Sequence, residues 1–264
     1  MIYGTVHFNI KDILHHVYTI GFTMSGHESL LGGFWFLKYL FFASVVMLYI
    51  RQKVSNEFVS LGGVIILTQI FASCGLRIPY WGLNFTLFMS LSFMIAGFIY
   101  HQYDEWLQKH TTLLTFGCLV IVVLGSLFWP GSMLTISSLY CVPYIISGIA
   151  GSIMVLEICR FLANKISPRC YAIWKYVGDN TLIVLCLHML CFKLVSLVIV
   201  VIYHLSAYRI AEFITIHDFS IKGWWLLYVL VGTLMPLGIQ LLYKHAHSLI
   251  TRKWNLYKLN KYNS

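Results

Sequence analysis

The sequence has little charge and very few carboxylates. Asp, Glu, Lys and Arg make up 10% of its 264 residues, and nine residues in all are acidic. A soluble domain carries about a quarter charged residues, so a water-soluble globular protein is excluded, and a mean hydropathy of +0.79 agrees. No Cys-x-x-Cys pair occurs among the seven cysteines (Cys74, Cys118, Cys141, Cys159, Cys170, Cys186 and Cys191). They lie in or beside apolar runs and read as small buried hydrophobes rather than metal ligands. His15–His16 and His245-x-His247 have no carboxylate or cysteine at ligand spacing and read as interfacial residues, so no metal is expected. The chain lacks a Gly-x-Ser-x-Gly elbow, which argues against a hydrolase of that type. It shows no internal repeat to support an inverted-repeat transporter. Residues 1–32 lack the basic start, apolar core and small-residue cleavage site of a secretory signal.

What is present is apolar and long. Seven runs approach the roughly 20 residues that span a bilayer: 33–50, 58–73, 80–100, 113–129, 134–156, 181–203 and 224–243. The third is entered through Arg77-Ile78-Pro79 and the interfacial pair Tyr80-Trp81. Pro143 in the fifth run and Pro236 in the seventh are each expected to free a backbone carbonyl. Before the runs, Ile10, Ile13, Leu14, Val17 and Ile20 recur at helical spacing, with Lys11, Asp12, His15 and His16 on the other sides. That pattern predicts a short amphipathic helix lying in the interface. The expected architecture is therefore an all-α, polytopic membrane helix bundle. It divides into an amphipathic juxtamembrane segment (1–32), a bundle of seven transmembrane helices (33–243) and a basic tail (244–264).

The formal charge of +9 does not point to nucleic acid, because the cations sit in loops and the tail beside apolar spans. That distribution fits anionic lipid and the positive-inside rule. With seven spans, one side carries Arg51, Lys53, Lys109, Arg160, Lys165, Arg169, Lys175, Lys244, Arg252, Lys253, Lys258 and Lys261. The other carries Lys11, Arg77, Arg209 and Lys222. The imbalance places the C-terminus in the cytoplasm and the N-terminus outside, in a cell (cytoplasmic) membrane. Lys38 falls near the end of the first span, where its stem is expected to snorkel to the headgroups.

The stretch Gly178–Leu190, GDNTLIVLCLHML, carries most of the chemistry. Gly178, Asp179, Asn180 and Thr181 suit a helix start, and the apolar run that follows contains His188. On a helix, Asn180, Thr181, Val184, His188 and Cys191 fall within a sector of roughly 100°. Two readings of His188 stand side by side: a hydrogen bond that locks helix packing, or a catalytic or ligand-binding group facing the bundle interior.

Three stretches carry a family resemblance. Phe34-Trp35-Phe36-Leu37-Lys38-Tyr39-Leu40-Phe41 resembles a "WFL…LF" signature, and Met94–Tyr100 is similar to an "F-x-x-G-Y" helix end. Gly178–His188 resembles "G-x-N-S-L-x-I-Y-x-x-H", and Pro236 in the last span fits the same pattern. In this order they resemble the acyltransferase 3 family of integral-membrane O-acyltransferases, from about residue 33 to the end. The resemblance implies an enzyme of about ten membrane helices that begins and ends in the cytoplasm. Such an enzyme moves an acyl group, usually acetyl from acetyl-CoA, to a sugar hydroxyl of a surface polysaccharide or glycolipid. The family's first helix, with a basic residue and a histidine, and its Arg-x-x-Arg-type motif have no counterpart here. The charge count, with its N-terminus outside, independently asks for an odd number of additional helices. The chain is thus expected to be the C-terminal part of such an enzyme.

Acyl transfer to a hydroxyl needs a base and donors for the developing oxyanion. A histidine suits the base role, its ordinary pKa lying near neutrality. With the family's first-helix histidine lacking a counterpart here, His188 is the candidate for a second component of the catalytic site, with Asn180 and Thr181 as orienting or packing groups on the same face. Arg160, Lys165, Arg169 and Lys175 are candidates to meet the phosphates of acyl-CoA, with lipid headgroups as their other explanation. No permanently bound cofactor is expected. The expected partners are the lipid bilayer, acyl-CoA as donor and a glycan acceptor, and nothing in the sequence fixes an oligomeric state. Trp35 reads as an interfacial anchor, and Asp104 and Glu105 as a solvated turn. Lys193 lies away from the His188 face, with Glu157 or water as its expected partner. The alternative class is a non-enzymatic multi-pass protein, either a small-solute carrier using Gln69, Asn84, His188, Lys193 and Gln240 or an inactive fragment.

Overall fold

A computed structural model of the chain describes residues 10–18, 34–79, 81–133, 135–212, 215–219 and 223–262. Eleven α-helices lie among them: α1 (Ile10–Tyr18), α2 (Phe34–Lys53), α3 (Glu57–Ser73), α4 (Phe85–Gln102), α5 (Asp104–Lys109), α6 (Thr111–Phe128), α7 (Cys141–Ala163), α8 (Pro168–Asp179), α9 (Thr181–Ile202), α10 (His217–Phe219) and α11 (Trp225–Tyr262). No strand occurs among the described residues, which hold an isolated bridge between Ile78 and Leu83. The protein is all-α, as the apolar runs predict.

Each expected span is a helix, but the count of seven is not reached. Among the described residues, five helices are long and apolar enough to cross a membrane: α4, α6, the segment Ser138–Ala163 containing α7, α9 and the first part of α11. This is the make-up of a multi-pass membrane protein. The helix α3 is apolar but has 17 residues, or roughly 25 Å at 1.5 Å per residue, against about 30 Å of hydrocarbon. The helix α2 has 20 residues and includes Lys38, Arg51 and Lys53. Of the amphipathic segment, α1 is a helix that exposes Ile10 and Leu14; the rest of 1–32 lies outside the described residues, as do Tyr80 and Lys222.

Local chemistry sets the helix starts. The Asn56 side chain accepts hydrogen bonds from the amides of Phe58 and Val59 at 3.0 and 3.2 Å and so caps α3. Asn84 caps α4 through the Thr86 amide at 3.1 Å and also accepts from the Tyr39 hydroxyl at 3.0 Å. The turn between α3 and α4 needs Gly75 and Gly82, whose φ angles are 62° and 60°.

Pro143 does not act as the sequence suggests. It is the third residue of α7, where its missing N–H is one of the amides a helix leaves unpaired in any case. Pro236 lies in the interior of α11 and is fully buried. Having no amide hydrogen, it leaves the Gly232 carbonyl without its helical donor.

The chain divides into two compact units, with Trp35–Ser167 in the first and residues 168–262, together with Phe34, in the second. In the first, Tyr39, Ala43 and Met47 of α2 pack with Val64 of α3 and with Leu87, Leu91 and Ile95 of α4. Met89, Cys141 and Ile145 join α4 to α7. The helices α6 and α7 approach closely at Gly125, where an added Cβ would lie 2.7 Å from the Ser147 Cβ; small residues permit such approaches between membrane helices. Lys38 does not reach outward: it is buried, and its Nζ donates to the Trp81 carbonyl at 3.1 Å.

In the second unit α9 and α11 run antiparallel. Asn180 meets Lys244, Phe192 lies against Gly232, and Ser196 meets Tyr228. Each residue forward on α9 is thus matched by one residue back on α11, a register that sets His188 level with Pro236. Val195, Ile199 and Val200 pack with Ile216, Phe219 and Tyr228 to fill one end of this pair. The expected loop 157–180 contains α8, and the expected tail continues α11 as helix to Tyr262.

Candidate functional site

His188 lines a groove of about 300 Å³ between α9 and α11, with Thr181, Val184, Leu185 and Phe192 on one wall and Val229, Gly232 and Thr233 on the other. Its Nδ1 lies 2.8 Å from the Leu185 carbonyl and 3.1 Å from that of Val184. Carbonyl oxygens only accept, so Nδ1 carries the hydrogen. The neutral ring then presents its lone pair at Nε2, which has no protein partner among the described residues. The ring is held edge-to-face by Phe192 at 5.4 Å, and Phe192 in turn meets Tyr228 edge-to-face at 5.7 Å.

This arrangement depends on a glycine. A Cβ at Gly232 would fall 2.2 Å from a Phe192 ring carbon, so only glycine lets α11 approach the ring that supports His188. The Gly232 carbonyl, deprived of a donor by Pro236, belongs to the same groove. Thr233 also lines it, and its hydroxyl makes no hydrogen bond among the described residues. Gly232 and Thr233 are groove residues that sequence reasoning passed over; the signal was a Gly-Thr pair four and three residues before Pro236.

Asn180 is buried at the junction of α8 and α9, and its side chain does not cap α9. Its Nδ2 donates to the Tyr176 carbonyl at 2.8 Å, and its Oδ1 accepts from Lys244 Nζ at 3.1 Å. Eight residues separate it from His188, about 12 Å of helix rise, so it orients Lys244 rather than the imidazole. The Thr181 hydroxyl donates to the Gly178 carbonyl at 2.7 Å.

The four cations expected at acyl-CoA phosphates are differently engaged. Arg160 forms ion pairs with Asp104 at 2.5 Å and Glu157 at 3.0 Å. Lys165 sits over the Phe161 ring at 4.1 Å. Lys175 pairs with Asp179 at 3.2 Å, and Arg169 is exposed in the first turn of α8. Arg160 and Lys165 belong to the first unit and Arg169 and Lys175 to the second.

The Arg160 network corrects the reading of Asp104 as part of a solvated turn. The hydrogen bond from Arg160 holds the Asp104 carboxyl below the usual carboxylate range, with Gln108 assisting. Glu157 is fully buried, and its Oε1 also accepts from the Tyr100 hydroxyl at 2.5 Å. Lys193 is not its partner: Lys193 Nζ donates to the Glu212 carbonyl at 2.5 Å. Beyond α9, Arg209 pairs with Asp218 and Glu212, each at 2.7 Å, and these bonds hold its guanidinium above its ordinary range.

Among the described residues, no three His, Cys, Asp or Glu side chains are grouped to hold a metal ion. No protein-family model matches the chain, and no curated protein or solved structure matches it significantly.

Proposed function

We propose that the protein is a membrane-bound O-acyltransferase that moves an acyl group, acetyl in the simplest case, from acyl-CoA to a sugar hydroxyl of a surface polysaccharide or glycolipid. The observation that carries this reading is the fixed orientation of His188: Nδ1 bound to a carbonyl and Nε2 left unpartnered in a groove. The resemblance of Gly178–His188 to the acyltransferase 3 signature supports it.

In this reaction Nε2 accepts the proton of the sugar hydroxyl as the sugar oxygen attacks the thioester carbonyl. The Leu185 carbonyl stabilises the imidazolium through the Nδ1 hydrogen. The developing oxyanion takes a hydrogen bond from the Thr233 hydroxyl. Collapse of the adduct breaks the C–S bond, and the CoA thiolate leaves with the proton held on Nε2. The resemblance assigns a further basic residue and histidine to a helix that precedes this region in the family.

Seven crossings with a cytoplasmic C-terminus go with this proposal. The helices α2 and α3 are consecutive, so including or excluding both changes the crossings by two and leaves every later loop on the same side. The carrier reading has weaker support. Gln69 donates to Ser73 and to the Ser138 carbonyl, Asn84 is bound to Thr86 and Tyr39, and Lys193 is bound to Glu212.

The test is an exchange assay on membranes of the native cells, with the gene intact or deleted. Acetyl-CoA labelled in its acetyl group should give an alkali-labile ester on a membrane glycan only where the gene is intact. Equal labelling in both membranes contradicts the proposal.

A further inference from the structure

At the Asn180 end of the α9 and α11 pair, groups from α8, α11 and the α8–α9 junction come together with no anion among them. Lys244 of α11 is a cation whose described partners are neutral: the Asn180 amide oxygen at 3.1 Å and the Tyr176 ring, whose centroid lies 5.6 Å from Nζ. Asn180 is itself fixed, since its amide donates to the Tyr176 carbonyl at 2.8 Å. The Tyr176 hydroxyl of α8 is enclosed and makes no hydrogen bond among the described residues. Lys244 is exposed, so its ammonium is open to a ligand from solution. Buried hydroxyls are nearly always paired, and an enclosed unpaired donor on the ring next to a cation with only neutral described partners marks a place for an acceptor of negative charge. The neighbouring carboxylate does not supply it, because Asp179 pairs with Lys175 at 3.2 Å. Thr181, next in sequence to Asn180, lines the groove that holds His188.

We propose that Lys244, Asn180 and Tyr176 form a phosphate-binding subsite at the end of the His188 groove. Lys244 supplies the charge, Asn180 holds the ammonium in place, and the Tyr176 hydroxyl donates to a phosphate oxygen. A phosphate has two sources in this setting, a soluble phosphate ester such as coenzyme A or the headgroup of an anionic lipid. The first identification rests on the acyl-CoA reading above; the subsite itself does not. Lys244, rather than Arg160, Lys165, Arg169 or Lys175, then holds the donor's phosphates.

The test uses the purified protein in nanodiscs of phosphatidylcholine alone, titrated with coenzyme A and with pantetheine, which lacks the phosphates. Lys244→Gln should weaken coenzyme A binding roughly ten- to a hundred-fold, the range for a lost hydrogen bond to a charged group, and leave pantetheine binding unchanged. Lys244→Arg should retain most of the affinity, and Tyr176→Phe should lose roughly ten-fold or more, because the acceptor is an anion. In a second arm, phosphatidylglycerol added to the nanodiscs raises the melting temperature through Lys244 if the phosphate is that of a lipid. A Lys244-dependent effect in either arm supports the subsite and names its source. Equal coenzyme A affinity in the parent, Lys244→Gln and Tyr176→Phe proteins, with no Lys244-dependent response to lipid, overturns it. Should Lys244→Gln fail to fold, Tyr176→Phe carries the decision: unchanged coenzyme A affinity in that variant overturns the subsite. Lys244-dependent binding without glycan acylation leaves the subsite and removes the acyltransferase. Acylation at an unchanged KM for acetyl-CoA in Lys244→Gln removes the subsite and leaves the enzyme.

Discussion

Gly232 and Phe192 are so close that a methyl group on the glycine would fall 2.2 Å from a ring carbon. The ring stands between His188 and Tyr228 and meets both edge-on. Gly232→Ala must therefore displace the support of His188 to be accommodated. The expected cost is about 1–3 kcal/mol, as for other overpacked sites, read as a lower melting temperature in detergent. Phe192→Leu frees the space, so the double variant should lose less than the two single variants together. Additive losses would show that the two residues do not touch.

The Tyr100, Glu157, Arg160 and Asp104 network makes a second prediction. Arg160→Met strips a buried carboxylate of its cation and should cost about 3–5 kcal/mol. Tyr100→Phe removes a neutral donor from the same oxygen and should cost about 1–3 kcal/mol. Denaturation of the two variants side by side checks the order, and equal losses would contradict it.

The pH dependence of the Asp104 pair follows from the sign of its shift. Its carboxyl is held below the usual range by Arg160, so the folded state favours the charged form. The resulting stability is present above the ordinary carboxylate pKa and disappears as pH falls through the lower, folded-state value. The parent protein should melt above Asp104→Asn near neutrality and lose that advantage in acid. A difference that persisted below the ordinary carboxylate range would contradict the pairing.

A topology prediction concerns the loop between α9 and α11. A reporter active only outside the cytoplasm, fused after Lys222, should be active, and fused after Lys258 it should be silent. The loop cations predict this through the positive-inside rule, and the reverse pattern would overturn the orientation.

Much of the fold was legible because apolar runs are long and some are bounded by residues that cap. Asn56 and Asn84 mark their helix starts as their residue types suggest. The helix α8 was not legible: Arg169, Lys175 and Asp179 interrupt its apolar residues, and Gly178 near its end resembles loop chemistry. Its one local signal was Pro168 at the first helical position. Pro143 and Pro236 look alike in sequence, since each lies in an apolar run. Only the start of α7 at Cys141 separates them. Of the site, the place of His188 on α9 could be read from periodicity. The partners of Arg160 and Lys244 could not: Asp104 lies 56 positions from Arg160, and Asn180 lies 64 from Lys244. Hydropathy fixes which residues enter a helix, and the register between helices is set by packing.

The central claim is that Nε2 of His188 takes the proton of the acceptor hydroxyl. The most direct measurement is the rate of labelled acetyl transfer to glycan in native-cell membranes carrying His188, His188→Ala or His188→Asn at matched protein levels. Asparagine keeps a donor for the Leu185 carbonyl but has no basic nitrogen. Loss of a general base costs typically about 10²–10⁴-fold in rate. The account predicts a fall of about that size in both variants, with membrane insertion unchanged. Full activity in His188→Asn would contradict it and make the histidine a packing residue.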